Sequence, residues 1–275
     1  MGQGERLLEI KKISFFYEQG KPALKDVSLS IDKGERIAVL GANGAGKSTF
    51  FLTINGVRVP QEGKIFYRGE EIGKKNRKVL AEHIGIVFQE ADNQIIGSTV
   101  KSEVAFGPIN QGLSIKKVEE QTIGAMREMG IEEWGDRPPH YLSGGEKKRV
   151  TIADILAMMP EIIVFDEPTA SLDPVNVDMF EQVAMRLSKE GKTILVSTHN
   201  VDFAYRFAER ILVFAEGQLL ADGNSNDIFS NQGLLQKNHL KKPIILEIYE
   251  LLKRKGKLAS GIMPKTLVEL EALLL

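Results

Sequence analysis

Arg36-Ile37-Ala38-Val39-Leu40-Gly41-Ala42-Asn43-Gly44-Ala45-Gly46-Lys47-Ser48 joins a short apolar run to a G-x-x-x-x-G-K-[ST] loop. A helical pattern near 46–56 follows, so the loop has the strand–loop–helix setting this motif requires. Glycines let the backbone curl until successive N–H groups point inward, which suits phosphate oxygens. The start of the following helix adds partial positive charge. Lys47 is placed to reach the β- and γ-phosphates of a nucleotide and Ser48 to ligate Mg2+. Thr49, next in line, joins the nucleotide-binding set.

Upstream, Leu8–Tyr17 and Ala23–Ile31 read as strands, the second alternating at Val27, Leu29 and Ile31. Downstream, Lys64–Tyr67, Ile84–Phe88, Ile162–Phe165, Thr193–Ser197 and Ile211–Phe214 are further strands. Helical patterns lie near 116–130, 146–158, 175–190 and 201–208. This alternation predicts an α/β fold with a mostly parallel sheet covered by helices, beside an antiparallel layer formed by the first strands. Glu216-Gly217 and Gln218–Ala221 suggest a late hairpin. Composition shifts near residue 240. Pro243 then opens a helix with Ile244, Ile248, Leu251 and Leu252 on one face, and Leu267, Leu270, Leu273 and Leu274 suggest a last short helix. The expected organisation is one domain over 1–240 and a helical extension over 241–275.

Ile162-Ile163-Val164-Phe165 runs into Asp166-Glu167-Pro168. Ligands of open α/β sheets bind at the carboxyl ends of strands, so these acids face the same mouth as the glycine loop. On an extended chain neighbours point in opposite directions, and the two acids are expected to divide the work. Asp166 holds Mg2+, and Glu167 orients and deprotonates an attacking water.

Leu142-Ser143-Gly144-Gly145-Glu146 opens another helical run. Ser143 and Glu146 have capping-box spacing. Two glycines behind the capping serine also leave N–H groups bare for a phosphate. Since one phosphate loop is already present, this second one is expected to serve a nucleotide held by another copy of the chain.

Residues 142–146 resemble the signature motif of ATP-binding-cassette ATPases, with Glu146 where glutamine is usual. Other segments follow in that family's order over about 7–240. The resemblance implies a P-loop core with a helical signature subdomain at about 90–160. It makes Gln89 the glutamine that touches Mg2+ and the membrane partner, and Ser171-Leu172-Asp173 a loop that reaches the nucleotide through Asp173. It makes His199 a catalytic contact to the γ-phosphate and Tyr17 the ring that stacks on adenine. It also implies an ATPase that works head to tail with a second copy or a paralogue. Each ATP would lie between the phosphate loop of one chain and Ser143-Gly144-Gly145 of the other.

Phe88–Gln94 and Val104-Ala105-Phe106-Gly107-Pro108 are similar to energy-coupling-factor importers, and Arg137–His140 and Lys147–Val150 look most like their cobalt/nickel branch. Members of that group pair their ATPases through extra C-terminal helices. The resemblance implies an integral-membrane partner, a substrate-capture subunit and a peripheral place on the cytoplasmic face of the cell membrane. A vitamin importer, another transporter of the family and a soluble family member are the alternatives.

Composition agrees. The chain has 275 residues, 43% of them apolar. No apolar run approaches the ~20 residues that cross a bilayer, so another chain is expected to do the spanning. With 36 basic and 37 acidic residues and a net charge of −1, nothing draws it globally to nucleic acid, and none is expected as a partner. No cysteine is present, which excludes disulfides and cysteine-ligated zinc.

Overall fold

A computed structural model describes residues 4–18, 20–170, 172–258 and 262–274. Its strands are β1 (Arg6–Phe16), β2 (Pro22–Asp32), β3 (Arg36–Leu40), β4 (Glu62–Tyr67), β5 (Glu70–Ile72), β6 (Ile84–Val87), β7 (Ile162–Asp166), β8 (Thr193–Ser197), β9 (Arg210–Ala215) and β10 (Gln218–Asn224). Strands β2-β1-β4-β5 make an antiparallel sheet. The second sheet runs β10-β9-β3-β8-β7-β6 and is parallel except for its hairpin edge, β10.

Every residue of β6, β7 and β8 is buried, as expected for parallel strands covered on both faces. Successive side chains alternate between two cores. Ala38, Leu40, Ile163 and Phe165 face the larger helical layer. Ile37, Val39, Ile162 and Val164 face the first helix and the antiparallel sheet, against Phe50 and Phe51.

The helices are α1 (Lys47–Ile54), α2 (Lys78–His83), α3 (Val100–Asn110), α4 (Ile115–Glu128), α5 (Gly144–Ala157), α6 (Pro174–Lys189), α7 (Val201–Phe207), α8 (Ser225–Ser230), α9 (Gln232–Lys237), α10 (Ile244–Arg254) and α11 (Leu267–Glu271). The sequence does not announce α3, because Gly107-Pro108 sits inside it. A side chain at Gly107 would collide with Met158, so glycine lets α3 approach the end of α5. That packing outweighs helix propensity. Helices α8 and α9, six residues each, are too short to show a period.

The tail docks by a part of α10 other than the middle of its apolar stripe. Leu246 and Tyr249 are buried, whereas Ile244 and Leu251 of the predicted stripe are exposed. The apolar side of α10 is broad, and the helix is turned so that Leu246 and Tyr249 at one border are buried while Ile244 and Leu251 at the other are open. It docks by Leu246 in the larger core and by the Ile244 amide, which donates to Asp202 Oδ1 at 2.6 Å.

Register sets the site. Val39 of β3 and Asp166 of β7 both pair with Ser197 of β8. Gly41, Glu167 and His199 therefore leave the sheet together, at the carboxyl ends of three neighbouring strands.

Candidate functional site

Between β3 and α1 the backbone turns at Gly46, with φ of 102°. A Cβ there would stand 2.6 Å from the Ala23 carbonyl oxygen, so the loop lies directly on β2. A side chain at Gly41 would collide with the Phe214 carbonyl. Helix α1 has no side-chain cap and no acid in its first turn. Among the described residues, the amides of Gly44, Gly46, Lys47 and Ser48 have no hydrogen-bond acceptor. Orphaned N–H groups at a helix start form an anion site, so the loop fits a phosphate.

Lys47 is buried, and its Nζ donates to the carbonyls of Gly41 at 2.8 Å and Ala42 at 3.2 Å. It also lies 3.3 Å from Glu167 Oε1. The same carboxylate oxygen is 3.0 Å from His199 Nε2, which is 2.9 Å from Asn43 Oδ1. Glu167 thus stands between a buried ammonium and an exposed imidazole at the mouth of the loop.

Asp166 and Glu167 do diverge, but not through extended-strand alternation. Glu167 has φ of 44°, in the left-handed region that glutamate rarely adopts. Ser197 helps hold the turn. Its buried hydroxyl donates to Asp166 Oδ1 at 2.6 Å and accepts the Glu167 amide at 2.8 Å. Asp166 Oδ2 and the exposed Ser48 hydroxyl have no hydrogen-bond partner among the described residues, which leaves two hard oxygen donors for a cation such as Mg2+.

A cleft of about 430 Å3 opens over the glycine loop, without Asp166 or His199 in its lining. Tyr17, Ala23, residues 43–49, Gln89 and Glu167 line it. Tyr17 is half-exposed, packs edge-on against Phe15 at 5.0 Å and has the Arg58 guanidinium 5.5 Å from its ring centre. Its hydroxyl is 3.3 Å from Thr49 Oγ1. Ala23, Ser197 and Arg58 were not singled out from sequence. Alanine carries no chemical signal, and the other two depend on contacts distant in the chain.

Ser143, Gly144, Gly145 and Asp173 do not line this cleft. Ser143 caps α5 through a complete capping box with Glu146. The Ser143 amide and hydroxyl hold the Glu146 carboxyl below its ordinary range. A side chain at Gly145 would collide with Asn176, which Asp173 caps at the start of α6. Gly145 is thus explained by packing within the chain. At Gly144 an added Cβ meets nothing, and the residue is exposed. Ser171 lies outside the described residues.

Gln89 is exposed on the cleft wall. Its carbonyl and that of Phe88 accept from Lys148 Nζ at 2.7 and 2.8 Å. Burial pushes the Lys148 ammonium down to about 8, against the pull of Glu90 and Asp166.

No helix among the described residues is long and apolar enough to cross a membrane. A sequence profile of the family described as ABC transporter matches residues 24–170. The energy-coupling factor transporter ATP-binding protein EcfA of Methanocaldococcus jannaschii is 42% identical over 252 residues, 90% of each chain. The solved structure of cbiO1 from Clostridium perfringens, described as part of the ABC transporter complex cbiONQ, superposes with a TM-score of 0.74. It is 35% identical and covers 90% of this chain and 99% of its own. A dimeric ATP-binding cassette bound to ADP and Pi, in a post-hydrolysis state, matches at 29% identity with a TM-score of 0.72, over 80% of this chain and 99% of its own. With its phosphate-binding loop, paired acids and Ser-Gly-Gly helix start, the chain belongs to the ATP-binding-cassette transporter family, as an ATP-hydrolysing subunit of the energy-coupling factor type.

Proposed function

We propose that this chain hydrolyses Mg2+-ATP in a head-to-tail pair of ATPases and thereby drives an importer for cobalt or nickel ions. One observation carries the catalytic part: a single Glu167 oxygen is held between Lys47 and His199 beside loop amides that lack acceptors. The loop amides bind the phosphates, and Lys47 neutralises their charge. Glu167 takes the proton of the attacking water, while His199 and Asn43 orient the γ-phosphate side. Tyr17 offers a ring face to the base. Ser48, Asp166 and Gln89 would hold Mg2+, which supplies charge neutralisation at the phosphates.

The open surface at Gly144 supports the pair. Among the described residues nothing requires glycine there, so its bare backbone is available to a nucleotide on another copy, with Ser143, Gly145 and Asp173 around it. The dimeric relative bound to ADP and Pi is consistent with this arrangement. Moving a pair from 1% to 99% closed takes about 5.5 kcal/mol of differential binding.

The chain comprises a cassette over 1–240, with its signature subdomain at about 90–160, and a tail over 241–275 that contacts the other copy. Exposed Ile244, Leu251, Leu267 and Val268 give the tail an apolar surface. A membrane-spanning partner, a substrate-capture subunit and a peripheral position on the cytoplasmic face complete the proposed assembly. The similarity of Arg137–His140 and Lys147–Val150 to the cobalt/nickel branch and the cbiO1 neighbour support the cargo.

Glu167→Gln tests the catalytic reading. The variant should bind ATP within about threefold of wild type, lose turnover by at least a hundredfold, and collect as an ATP-dependent dimer in size exclusion. Near-normal phosphate release would remove Glu167 from the role of base. Cobalt uptake by vesicles carrying the chain and its co-purified membrane partner tests the cargo.

A further inference from the structure

Lys148 is almost fully buried and does not itself line the cleft. Removing an ammonium from water costs several kcal/mol unless it is paired, and an apolar side chain could fill the same space without that cost. Both backbone acceptors of its Nζ belong to one segment: Phe88 O at 2.8 Å and Gln89 O at 2.7 Å. That segment leaves β6 and carries Gln89 into the nucleotide cleft. Two further ties join it to the same helix. Lys147 Nζ donates to Asp92 Oδ1 at 2.6 Å. Gln94 accepts the Phe88 amide at 3.0 Å and donates to Asp154 Oδ2 at 3.3 Å. All three partners, Lys147, Lys148 and Asp154, lie on α5. That helix begins at Gly144, and five residues at 1.5 Å rise place its capping Ser143 roughly 7.5 Å along the axis from Lys148.

We propose that Lys148 is a positioning residue that clamps the Gln89 segment to α5, so that Gln89 at one ATP site and the Ser143-Gly144 surface offered to the other move as one body. The proposal rests on the two-site reading above. It adds the part that transmits a shift at Gln89 to the helix start: a rigid helix and two short hydrogen bonds to backbone. A backbone clamp holds the segment whatever the Gln89 side chain touches.

Three full-length variants test it: Lys148→Met, which fills the space but donates nothing, Lys148→Arg, which keeps charge and donors, and Lys148→Gln, which keeps a shorter donor. In Lys148→Met, amide hydrogen exchange over 88–97 should rise at least tenfold. The kcat for ATP should fall at least tenfold, while the Kd of a fluorescent ATP analogue with Mg2+ stays within twofold. Lys148→Arg should return kcat to within threefold of wild type. If Lys148→Met does not fold, Lys148→Gln should give intermediate exchange and intermediate kcat at unchanged Kd. Unchanged exchange over 88–97, a kcat within twofold, or an Arg variant as impaired as the Met variant would each overturn the clamp. Continued turnover by Glu167→Gln, assayed alongside, would overturn the site reading instead; the exchange result still decides the clamp.

Discussion

At the scale of single residues, Ser197 controls two acids with one hydroxyl. It donates to Asp166 and accepts the amide of Glu167, and so helps hold the left-handed backbone that separates the two carboxylates. Ser197→Ala would leave a buried carboxylate oxygen without its donor and an amide without its acceptor. Each unsatisfied buried group costs about 1–3 kcal/mol. We expect the urea midpoint to fall accordingly and kcat to drop at least tenfold, because the Glu167 oxygen must sit within hydrogen-bond reach of its water. Urea titration together with steady-state phosphate release checks both effects, and an active, fully stable Ala variant would show that the turn holds without the hydroxyl. Sequence displays the residues of the proposed site, because glycines, Lys47, Asp166 and Glu167 sit in short local patterns. It does not display Ser197 as the holder of both acids, because that role arises only when β7 and β8 are in register.

At the scale of elements, the helical layer carries an electrostatic load. Asp154 on α5 faces Glu103 on α3, and the Gln94 side chain lies between the Gln89 segment and α5. Burial, with Glu103 adding repulsion and Gln94 partly opposing it, pushes Asp154 up to about 7 from an ordinary 3.8. Between those values the folded chain holds the proton more strongly than the unfolded chain. Raising pH from 4 to 7 therefore removes stability, and above 7 the loss is constant. Asp154→Asn keeps an acceptor for Gln94 and no longer ionises. It should be more stable than wild type at pH 8, by about 1–3 kcal/mol, with little difference at pH 4.5. Denaturant melts across pH 4.5–8 measure this directly; a gap that does not widen with pH would place the charge elsewhere. The same layer marks the limit of sequence periodicity. Helices α4 and α5 are legible, whereas α3 is hidden by the Gly107-Pro108 pair that its packing against Met158 requires. Lys148 reads as one of a basic surface run until burial shows where its head group goes.

At the scale of the whole molecule, the tail both packs and projects. Leu246, Tyr249 and Leu270 are buried in the chain's own fold, and Lys265 Nζ donates to the Ala208 carbonyl at 2.8 Å. These contacts make the tail part of the folded unit. Leu251 and Val268 point away from it, at 45% and 76% exposure, and an apolar surface of this kind gains from being covered. Changing both to glutamate separates packing within the chain from the pairing proposed for the tail. Surface substitutions of this kind move stability by about half a kcal/mol, so the melting temperature of the monomer should hardly change. The pair, by contrast, would bring like charges into a desolvated contact. In the Glu167→Gln background, the ATP-dependent dimer of the double variant should dissociate at protein concentrations at least tenfold higher than the parent does. Analytical ultracentrifugation with and without ATP gives the number. Equal dimer affinities would confine the tail to stabilising its own chain and leave pairing to the nucleotide-bridged surfaces around Gly144.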